Sequence, residues 1–232
     1  MIFIVYFSSF LFIITLMTSL GMQSGSVDLR LAVLLLAAGE GSRLGSIPKA
    51  LLQKEGKSLL SRFSQSLKAF SPVEFIVVTG FHEQEIEAGL KQLRQDDELP
   101  IQSVCNPHPE QGQASSVRLG LEALKSNYDV LLVALCDQPL VGAMEIDTLL
   151  KQFKQRDQPK EVVMPMVGEQ RGNPVVFSHK VIADILAIPK MACRPYMDQH
   201  PELVQIFVTD NPAYIADVDT EADLSEFNLK RV

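Results

Sequence analysis

The residues best suited to chemistry lie just after the first strongly apolar run, where glycines alternate with polar and cationic side chains. The glycines and cations of this segment are Gly39, Gly41, Gly45, Arg43 and Lys49. Because glycine lets backbone N–H groups approach a ligand closely, such a turn is suited to an anion. Lys49 is a compact donor, and Arg43 can contact two oxygens at once. The alternative is that Arg43 and Lys49 are simply solvated surface cations. The pattern instead favours an anion-binding site, with a nucleoside triphosphate as the anion.

A carboxylate, Asp137, follows the most apolar run of the chain, residues 130–135. A continuous apolar run of this length predicts a strand buried on both faces of a parallel sheet. Sheets of this kind bind ligands beyond the carboxyl ends of their strands. Since Mg²⁺ is held by one or two carboxylates and substrate phosphates, Asp137 is a candidate Mg²⁺ ligand. The alternative is that Asp137 caps the turn before Pro139.

Two further carboxylates, Asp217 and Asp219, precede the last helical segment, which begins near Thr220. In an extended segment they share one face, so one of them is a candidate second metal ligand. The alternative is that Asp219 or Thr220 caps the helix.

Hydroxyl groups open another predicted helix at Ser115 and Ser116, after Gly112. Their hydroxyl and N–H groups are candidates for contacting a base or sugar, and we expect one of them to cap the helix. The turn at residues 171–174 is a candidate border for an acceptor site. The four histidines show no metal spacing, and no nucleophile–base arrangement is visible, which argues against covalent catalysis.

Apolar runs of strand length alternate with segments of helical periodicity through most of the chain. The predicted strands are residues 31–38, 74–79, 101–104, 130–135, 162–166, 175–177 and 203–208, and the predicted helices fall near residues 59–70, 83–93, 114–124, 146–153, 181–186 and 220–227. The alternation predicts an α/β fold with three layers, α/β/α, around a mostly parallel sheet. The short connection at residues 168–172 predicts some antiparallel pairing, which makes the sheet mixed.

Composition narrows the classes of function. The formal net charge of the 232 residues is −7, which argues against broad nucleic-acid binding, so a phosphate site must depend on local cations. The three cysteines lack metal-like spacing and predict reduced thiols in a cytoplasmic protein.

The N-terminal residues 1–21 form an apolar extension, and the first charged side chain is Asp28. One interpretation is a membrane segment that leaves the following domain on the cytoplasmic side, because Arg30 and Arg43 follow it. A signal peptide fits less well, since no cation precedes the apolar run. The interpretation we favour is a start-site artefact, with translation beginning at Met22.

Taken together, these motifs resemble a known family. The segment Leu36-Ala37-Ala38-Gly39-x-Gly41-x-Arg43-x-Gly45, followed by Pro48-Lys49, is similar to the signature of MobA-like nucleotidyltransferases with the glycosyltransferase-A-like fold. The segments Asp137-Gln138-Pro139, Gly172-Asn173-Pro174 and residues 217–224 make the molybdenum cofactor cytidylyltransferase branch the nearest resemblance. The resemblance covers residues 31–228 and implies a nucleotidyltransferase domain over residues 30–232.

The resemblance also implies roles for particular residues. The nucleotide-binding residues would be Leu36, Ala37, Ala38, Gly39, Gly41, Ser115 and Ser116. Arg43 and Lys49 would be the catalytic cations on the triphosphate, and Asp137 and Asp219 would hold Mg²⁺. The family implies CTP over GTP, a phosphorylated acceptor such as molybdopterin, and a molybdoenzyme as the recipient.

Two departures bear on the acceptor. Cys136 stands where the family usually has glycine, and residues 190–195 lack a Gly-Asp-x-Gly-Ala-Arg run, of which only Ala192 and Arg194 are present. These departures do not affect the residues assigned to nucleotidyl transfer. They do leave the identity of the acceptor open. A sugar phosphate or an isoprenoid precursor is therefore an alternative, as is a non-catalytic chaperone that binds a nucleotide or cofactor.

Overall fold

A twisted central sheet, covered by helices on both faces, organises the chain. The structure is a computed structural model that describes residues 29–96 and 99–231, so the apolar extension 1–21 lies outside the described residues. The strands are β1 (Leu31–Leu36), β2 (Gln53–Lys54), β3 (Lys57–Ser58), β4 (Glu74–Thr79), β5 (Ile101–Cys105), β6 (Val130–Leu135), β7 (Val162–Val167), β8 (Gln170–Arg171), β9 (Val175–Ser178) and β10 (Val204–Val208). The helices are α1 (Leu59–Leu67), α2 (Glu83–Asp96), α3 (Gln113–Ala123), α4 (Ala143–Lys154), α5 (His179–Ala187), α6 (Cys193–Gln199) and α7 (Glu221–Glu226).

The order of strands in the main sheet is β10-β7-β9-β6-β1-β4-β5, with β8 paired to β7. Strand β1 is parallel to β4 on one side and to β6 on the other. Strand β9 is antiparallel to both β6 and β7, which confirms the predicted mixed sheet. After β1, the chain first adds β4 and β5 on one side of β1 and then adds β6 on the other side. The boundary between β1 and β6 is therefore the switch point, the position where sheets of this type bind ligands.

Successive side chains of β1 pack alternately into two separate core layers, one on each face of the sheet. Leu31, Val33 and Leu35 pack with apolar residues of α1, α2 and α4. Ala32, Leu34 and Leu36 face the other side and pack with α3, α5 and α6. Because successive side chains of a strand point to opposite faces, a strand covered on both sides must be apolar throughout. The three-layer α/β/α fold predicted from the sequence is confirmed.

A smaller apolar cluster ties the C-terminal segment to the segment after β1. Its buried members are Leu44, Leu52, Leu59, Val218, Leu224 and Leu229. The short strands β2 and β3 form a hairpin, and Gln53 of this hairpin pairs with Lys230. This packing brings the segment before α7 close to the glycine-rich turn, although the two are far apart in sequence.

Differences from the predicted elements are local. The first strand ends at Leu36 rather than at Ala38, because the backbone turns away from the sheet once the glycine-rich segment begins. The β2–β3 hairpin and α6 were not predicted, since each is too short to give a periodic apolar signal. No helix within residues 29–96 and 99–231 is both long and apolar enough to cross a membrane.

The entry of the chain into β1 is held by an ion pair with the loop before β6. The Arg30 guanidinium donates to both carboxylate oxygens of Asp129, at 3.0 and 2.7 Å. This contact lowers the pKa of Asp129 to about 2. A carboxyl whose pKa falls on folding stabilises the native state above its unfolded pKa, and that stabilisation is lost as the pH falls towards the folded pKa.

We therefore expect Asp129→Asn to lower the free energy of unfolding at pH 7, with a smaller difference from the unsubstituted chain at pH 3. Urea denaturation of both proteins at the two pH values measures this difference. An equal difference at both pH values would contradict the role of the Asp129 charge.

Candidate active site

A cavity of about 290 Å³ lies at the carboxyl ends of β6, β1, β4 and β5. Its walls include the glycine-rich turn after β1, Asp137 after β6, Phe81 after β4 and Pro109 after β5. Four neighbouring strands span about three strand spacings, roughly 14 Å. The cavity is therefore elongated along the edge of the sheet, with Asp137 and Lys49 at one end and Phe81 and Pro109 towards the other.

The glycine-rich turn forms one wall of this cavity through residues 36–41. Gly41 has a positive φ of 67°, and a Cβ atom there would lie 2.4 Å from the carbonyl oxygen of Ile47. Glycine is therefore required at this position, both for the left-handed backbone and for the close approach of the returning chain.

The N–H groups of this turn are available to a ligand. Ala37 donates to the Val78 carbonyl at 2.8 Å, but none of the N–H groups of residues 38–43 has a hydrogen-bond acceptor within the described ranges. Successive unpaired N–H groups around a concave turn form an anion-binding surface. Ala38, Gly39 and Gly41, three of the residues predicted to bind the nucleotide, lie in this surface.

Lys49 connects the two carboxylates that the sequence singled out. It lies in a short 3₁₀ turn after Pro48, and its ammonium group donates to Asp137 at 3.0 Å and to Asp219 at 2.7 Å. Burial by itself lowers the pKa of Lys49, but the two carboxylates outweigh it and leave the pKa above the ordinary value for lysine. The ammonium group is therefore charged and placed between two anions at the edge of the cavity.

Asp219 is oriented by the packing of its neighbours. Val218 is fully buried in the C-terminal apolar cluster, and its N–H donates to the Asp137 carbonyl at 3.0 Å. Thr220 and Asp223 form a capping box at the start of α7, and the Asp223 carboxylate also accepts from the Asp219 N–H at 2.8 Å. Thr220 is thus the cap, and the carboxylate of Asp219 is left to face Lys49.

Arg43 reaches the same group from solvent. Its guanidinium donates to the second oxygen of Asp219 at 3.0 Å, and its side chain is 73% exposed. The structure therefore brings together four of the predicted site residues: Arg43, Lys49, Asp137 and Asp219. Lys49 and Asp137 line the cavity, whereas Arg43 and Asp219 lie beside it and do not line it.

Asp217 has a different partner from Asp219. Its carboxylate accepts from the Gln138 side-chain amide at 2.9 Å. Burial, followed by the nearby charge of Asp137, raises the pKa of Asp217 to about 6. The same Gln138 amide also donates to the Tyr214 carbonyl, while its buried Oε1 atom has no partner within the described residues.

The donor set fits a hard divalent cation. Asp137 and Asp219 approach one ammonium group, so their oxygens are no further apart than the sum of those two short contacts. Residues 29–96 and 99–231 contain no group of three or more His, Cys, Asp or Glu side chains arranged to hold a metal. Two carboxylates are enough for Mg²⁺, which completes its coordination with substrate phosphates and water.

The two serines differ from the prediction in one respect. We expected one of them to cap α3, but the N-cap is Gly112, which offers no side-chain oxygen. Instead the Asn106 side chain donates to both hydroxyls at 2.9 Å, and Ser115 donates to the Gly112 carbonyl. Ser116 lines the cavity, whereas Ser115 does not.

Phe81, which was not among the residues predicted from the sequence, lines the cavity and is 45% exposed. Its position depends on Gly80, where a Cβ atom would come within 2.9 Å of both Ala38 and Pro109. The absence of that Cβ lets the turns after β1, β4 and β5 pack together. The signal in the sequence was an aromatic residue directly after a glycine at the end of a strand, which is weak by itself.

A second cavity of about 110 Å³ adjoins the first on the β6–β9–β7 side of the sheet. Leu36, Leu135 and Gln113 line both cavities. Arg171, from the turn predicted to border an acceptor site, and Arg194, from α6, also line the second cavity. Two cavities with common walls can hold two reactants side by side.

Known proteins resemble this chain in sequence. It is 28% identical over 149 residues to the bifunctional protein GlmU of Prochlorococcus marinus, a match that covers 64% of this chain and 32% of that protein. It is 33% identical over 134 residues to GlmU of Zymomonas mobilis, covering 57% of this chain and 29% of that protein. The chain thus matches only about a third of the length of these curated relatives.

Solved structures share the fold. Rv0371c of Mycobacterium tuberculosis aligns with a TM-score of 0.66 at 20% identity, over 85% of this chain and 97% of that one. A structure of the same protein in complex with manganese aligns with a TM-score of 0.62 at 18% identity, over 85% of this chain and 97% of that one. The 4-diphosphocytidyl-2C-methyl-D-erythritol synthase of Anaerococcus prevotii aligns with a TM-score of 0.66 at 14% identity, over 87% and 96% of the two chains.

The family assignment agrees with this geometry. Residues 33–203 match the MobA-like NTP transferase domain, a range that begins within β1 and contains the glycine-rich turn, Lys49 and Asp137. Because that range is most of the chain, the protein belongs to the family of MobA-like NTP transferase domains.

Proposed function

We propose that the protein is a Mg²⁺-dependent nucleotidyltransferase that moves a nucleotidyl group, CMP in our preferred reading, from a nucleoside triphosphate to a phosphorylated small molecule. The observation that carries the proposal is the Lys49 ammonium group, held between Asp137 and Asp219 beside a turn of unpaired N–H groups. That arrangement combines a cation, two carboxylates suited to a metal and an anion cradle at one end of the first cavity, which Lys49 and Asp137 line.

The order of the strands suggests how the nucleotide lies. The triphosphate belongs at the end with Lys49 and the glycine-rich turn, and the base belongs towards Phe81, Pro109 and Ser116. The resemblance in sequence favours cytosine over guanine, because this chain has Ala37-Ala38-Gly39 where the related guanylyltransferases tend to have Ala-Gly-Gly.

The reaction would be a direct displacement at phosphorus. A phosphate oxygen of the acceptor attacks the α-phosphorus of CTP, the bond from that phosphorus to the bridging oxygen breaks, and pyrophosphate leaves. The unpaired N–H groups and Lys49 hold the triphosphate in position and stabilise the negative charge that develops on its oxygens. Asp137 and Asp219 would hold Mg²⁺, which neutralises phosphate charge when it is bound.

Two kinds of acceptor fit the proposed reaction. Molybdopterin is the acceptor implied by the resemblance in sequence, with a molybdoenzyme as the recipient of the product. A sugar phosphate or an isoprenoid precursor is the alternative acceptor, and the chain shares its fold with a 4-diphosphocytidyl-2C-methyl-D-erythritol synthase. We also propose that the nucleotidyltransferase domain spans residues 30–232 and that it is cytoplasmic.

Pyrophosphate release tests the proposal. The full chain is incubated with Mg²⁺ and each of the four nucleoside triphosphates, against a panel of phosphorylated acceptors that includes molybdopterin. We expect release that requires an acceptor and is fastest with CTP. Nucleotide binding without release, for every combination, would contradict an enzyme and favour a nucleotide-binding chaperone.

Phe81 provides a test of the nucleotide's orientation. Stacking of an aromatic side chain on a base contributes about 1–3 kcal/mol, so Phe81→Ala is expected to raise the Kd for CTP by roughly 5- to 150-fold. Turnover at saturating CTP should change little, because the base is not the reacting group. Calorimetric titration of CTP measures the effect, with Met144→Ala as a control at an exposed apolar residue outside the cavity. An unchanged Kd would place the base elsewhere.

A further inference from the structure

The lining and size of the second cavity indicate a chemical class of acceptor, which the family assignment leaves open. We propose that it is the acceptor-binding site and that it selects a phosphate monoester with a compact, apolar ring as its body, rather than a sugar phosphate. This inference rests on the proposed nucleotidyl transfer, and it concerns the half of the reaction that the comparisons leave open.

The position of the cavity fits an acceptor. Leu36 and Leu135 are paired neighbours at the ends of β1 and β6, and they line both cavities. Gln113, at the start of α3, also borders both and has an exposed side chain. An acceptor in the second cavity can therefore present its phosphate across this common wall to the α-phosphorus of a nucleotide in the first.

The lining of the cavity is mainly apolar. Nine of its side chains are hydrocarbon or sulfur-containing, among them Val117, Val133, Met164, Val175, Phe177 and Met197. Polar side chains come from Gln113, Arg171, Asn173 and Arg194 alone among the described residues. A sugar ring carries hydroxyls around most of its edge, and a hydroxyl held against apolar walls loses its hydrogen bonds to water without replacement. An apolar ring has no such cost and gains from burial.

The size of the cavity limits the body of the acceptor. At about 110 Å³ it is smaller than an engineered apolar cavity of about 150 Å³ that binds benzene, so it can enclose no more than one small ring.

Charge at the cavity fits the phosphate. Arg171 is already paired with the Asp198 carboxylate, so its charge is partly neutralised. Arg194 lines the cavity, is exposed, and has no ion pair within residues 29–96 and 99–231. Arg194 is therefore the cation that we assign to the acceptor's phosphate, which it can contact through two N–H groups.

Two probes with the same phosphate group separate the possibilities: phenyl phosphate has an apolar ring, and glucose 1-phosphate has a sugar ring. In the reaction with phenyl phosphate, its phosphate oxygen bonds to the α-phosphorus of CTP, pyrophosphate leaves, and the product joins CMP to phenyl phosphate through a new phosphoanhydride bond. We expect kcat/KM to be at least about tenfold higher for phenyl phosphate than for glucose 1-phosphate.

Arg194→Gln is the diagnostic substitution, and Lys190→Gln is its matched control. Both remove one positive charge from the same exposed stretch of chain, but Lys190 does not line the cavity. Loss of a charged hydrogen bond predicts a roughly 10- to 150-fold increase in the KM for phenyl phosphate with Arg194→Gln. The KM for CTP should be unchanged in both variants, and Lys190→Gln should resemble the unsubstituted chain.

Direct titration of each probe into the full chain, without CTP, keeps this inference separable from the proposed function. Binding of phenyl phosphate but not glucose 1-phosphate supports the apolar acceptor site even if no pyrophosphate is ever released, a result that would overturn only the proposed function. Pyrophosphate release with glucose 1-phosphate at equal or higher kcat/KM would overturn the inference while upholding nucleotidyl transfer. An unchanged KM for phenyl phosphate in Arg194→Gln would overturn the role of Arg194.

Discussion

Replacing Lys49 by alanine is expected to lower kcat by about 10²- to 10³-fold, the effect found when one preorganised donor to a developing charge is removed. The half-buried Lys49 ammonium group sits within 3.0 Å of both Asp137 and Asp219, so its position is set before a nucleotide arrives. A donor that is already in place contributes most where charge develops. The Kd for CTP should change much less than kcat, because the N–H groups of the glycine-rich turn remain.

The substitution also alters the electrostatics of the site itself. Without the ammonium group, the carboxylates of Asp137 and Asp219 face each other with no cation between them apart from Arg43 on the outer side. Like charges at close range repel, so the variant should depend more strongly on added Mg²⁺ for its stability. Thermal unfolding with and without Mg²⁺ measures this dependence.

Lys54→Ala is the control for these measurements. Lys54 lies five residues further along, in the β2 strand, and lines neither cavity. Steady-state kinetics and calorimetric titration of CTP on both variants separate turnover from binding. If Lys49→Ala kept its kcat, or lost activity only through weaker CTP binding, the role assigned to Lys49 would be wrong.

Asp137→Asn is expected to have an effect of comparable size through a different interaction. A metal that stabilises transition-state charge contributes several kcal/mol, which corresponds to roughly a 10²- to 10⁴-fold loss of turnover when its ligand is removed. The amide keeps the size and shape of the side chain but loses the charge, so the fold should persist. The Mg²⁺ concentration needed for half-maximal activity should rise in the variant.

Asp219→Asn and Asp210→Asn are the variants with which Asp137→Asn is compared. Asp219→Asn should show the same rise in the Mg²⁺ requirement, since both carboxylates approach the same point in the site. Asp210→Asn changes an exposed carboxylate that lines neither cavity and should behave as the unsubstituted chain. A normal Mg²⁺ requirement in Asp137→Asn would remove Asp137 from the metal site.

Local signals in the sequence were sufficient for the fold class. Continuous apolar runs at residues 31–36 and 130–135 predicted central strands, because a strand covered on both faces has no side that tolerates polar residues. The start of α1 is equally local, since the Ser58 hydroxyl caps it by accepting from the Ser61 N–H at 3.1 Å. Such features depend on neighbours within a few positions along the chain.

The choice between Asp217 and Asp219 could not be made from spacing. It depends on Val218, which is buried in a cluster with Leu44 and Leu224, and on the capping of α7 by Thr220 and Asp223. The capping is local, but the cluster joins Val218 to Leu44, more than 170 residues away. Together they turn Asp219 towards Lys49 and leave Asp217 with Gln138.

By itself, then, the sequence determined the layers of the fold, the glycine-rich turn and the set of charged residues, because these follow from periodicity and from what glycine and the charged side chains can do. Only the tertiary structure decided which carboxylate faces Lys49, that Phe81 lines the first cavity, and that a second, mainly apolar cavity adjoins it. The physical reason is that each of these features requires surfaces from several distant segments to meet. Their contacts are set by packing across the sheet and leave no periodic pattern in any one segment.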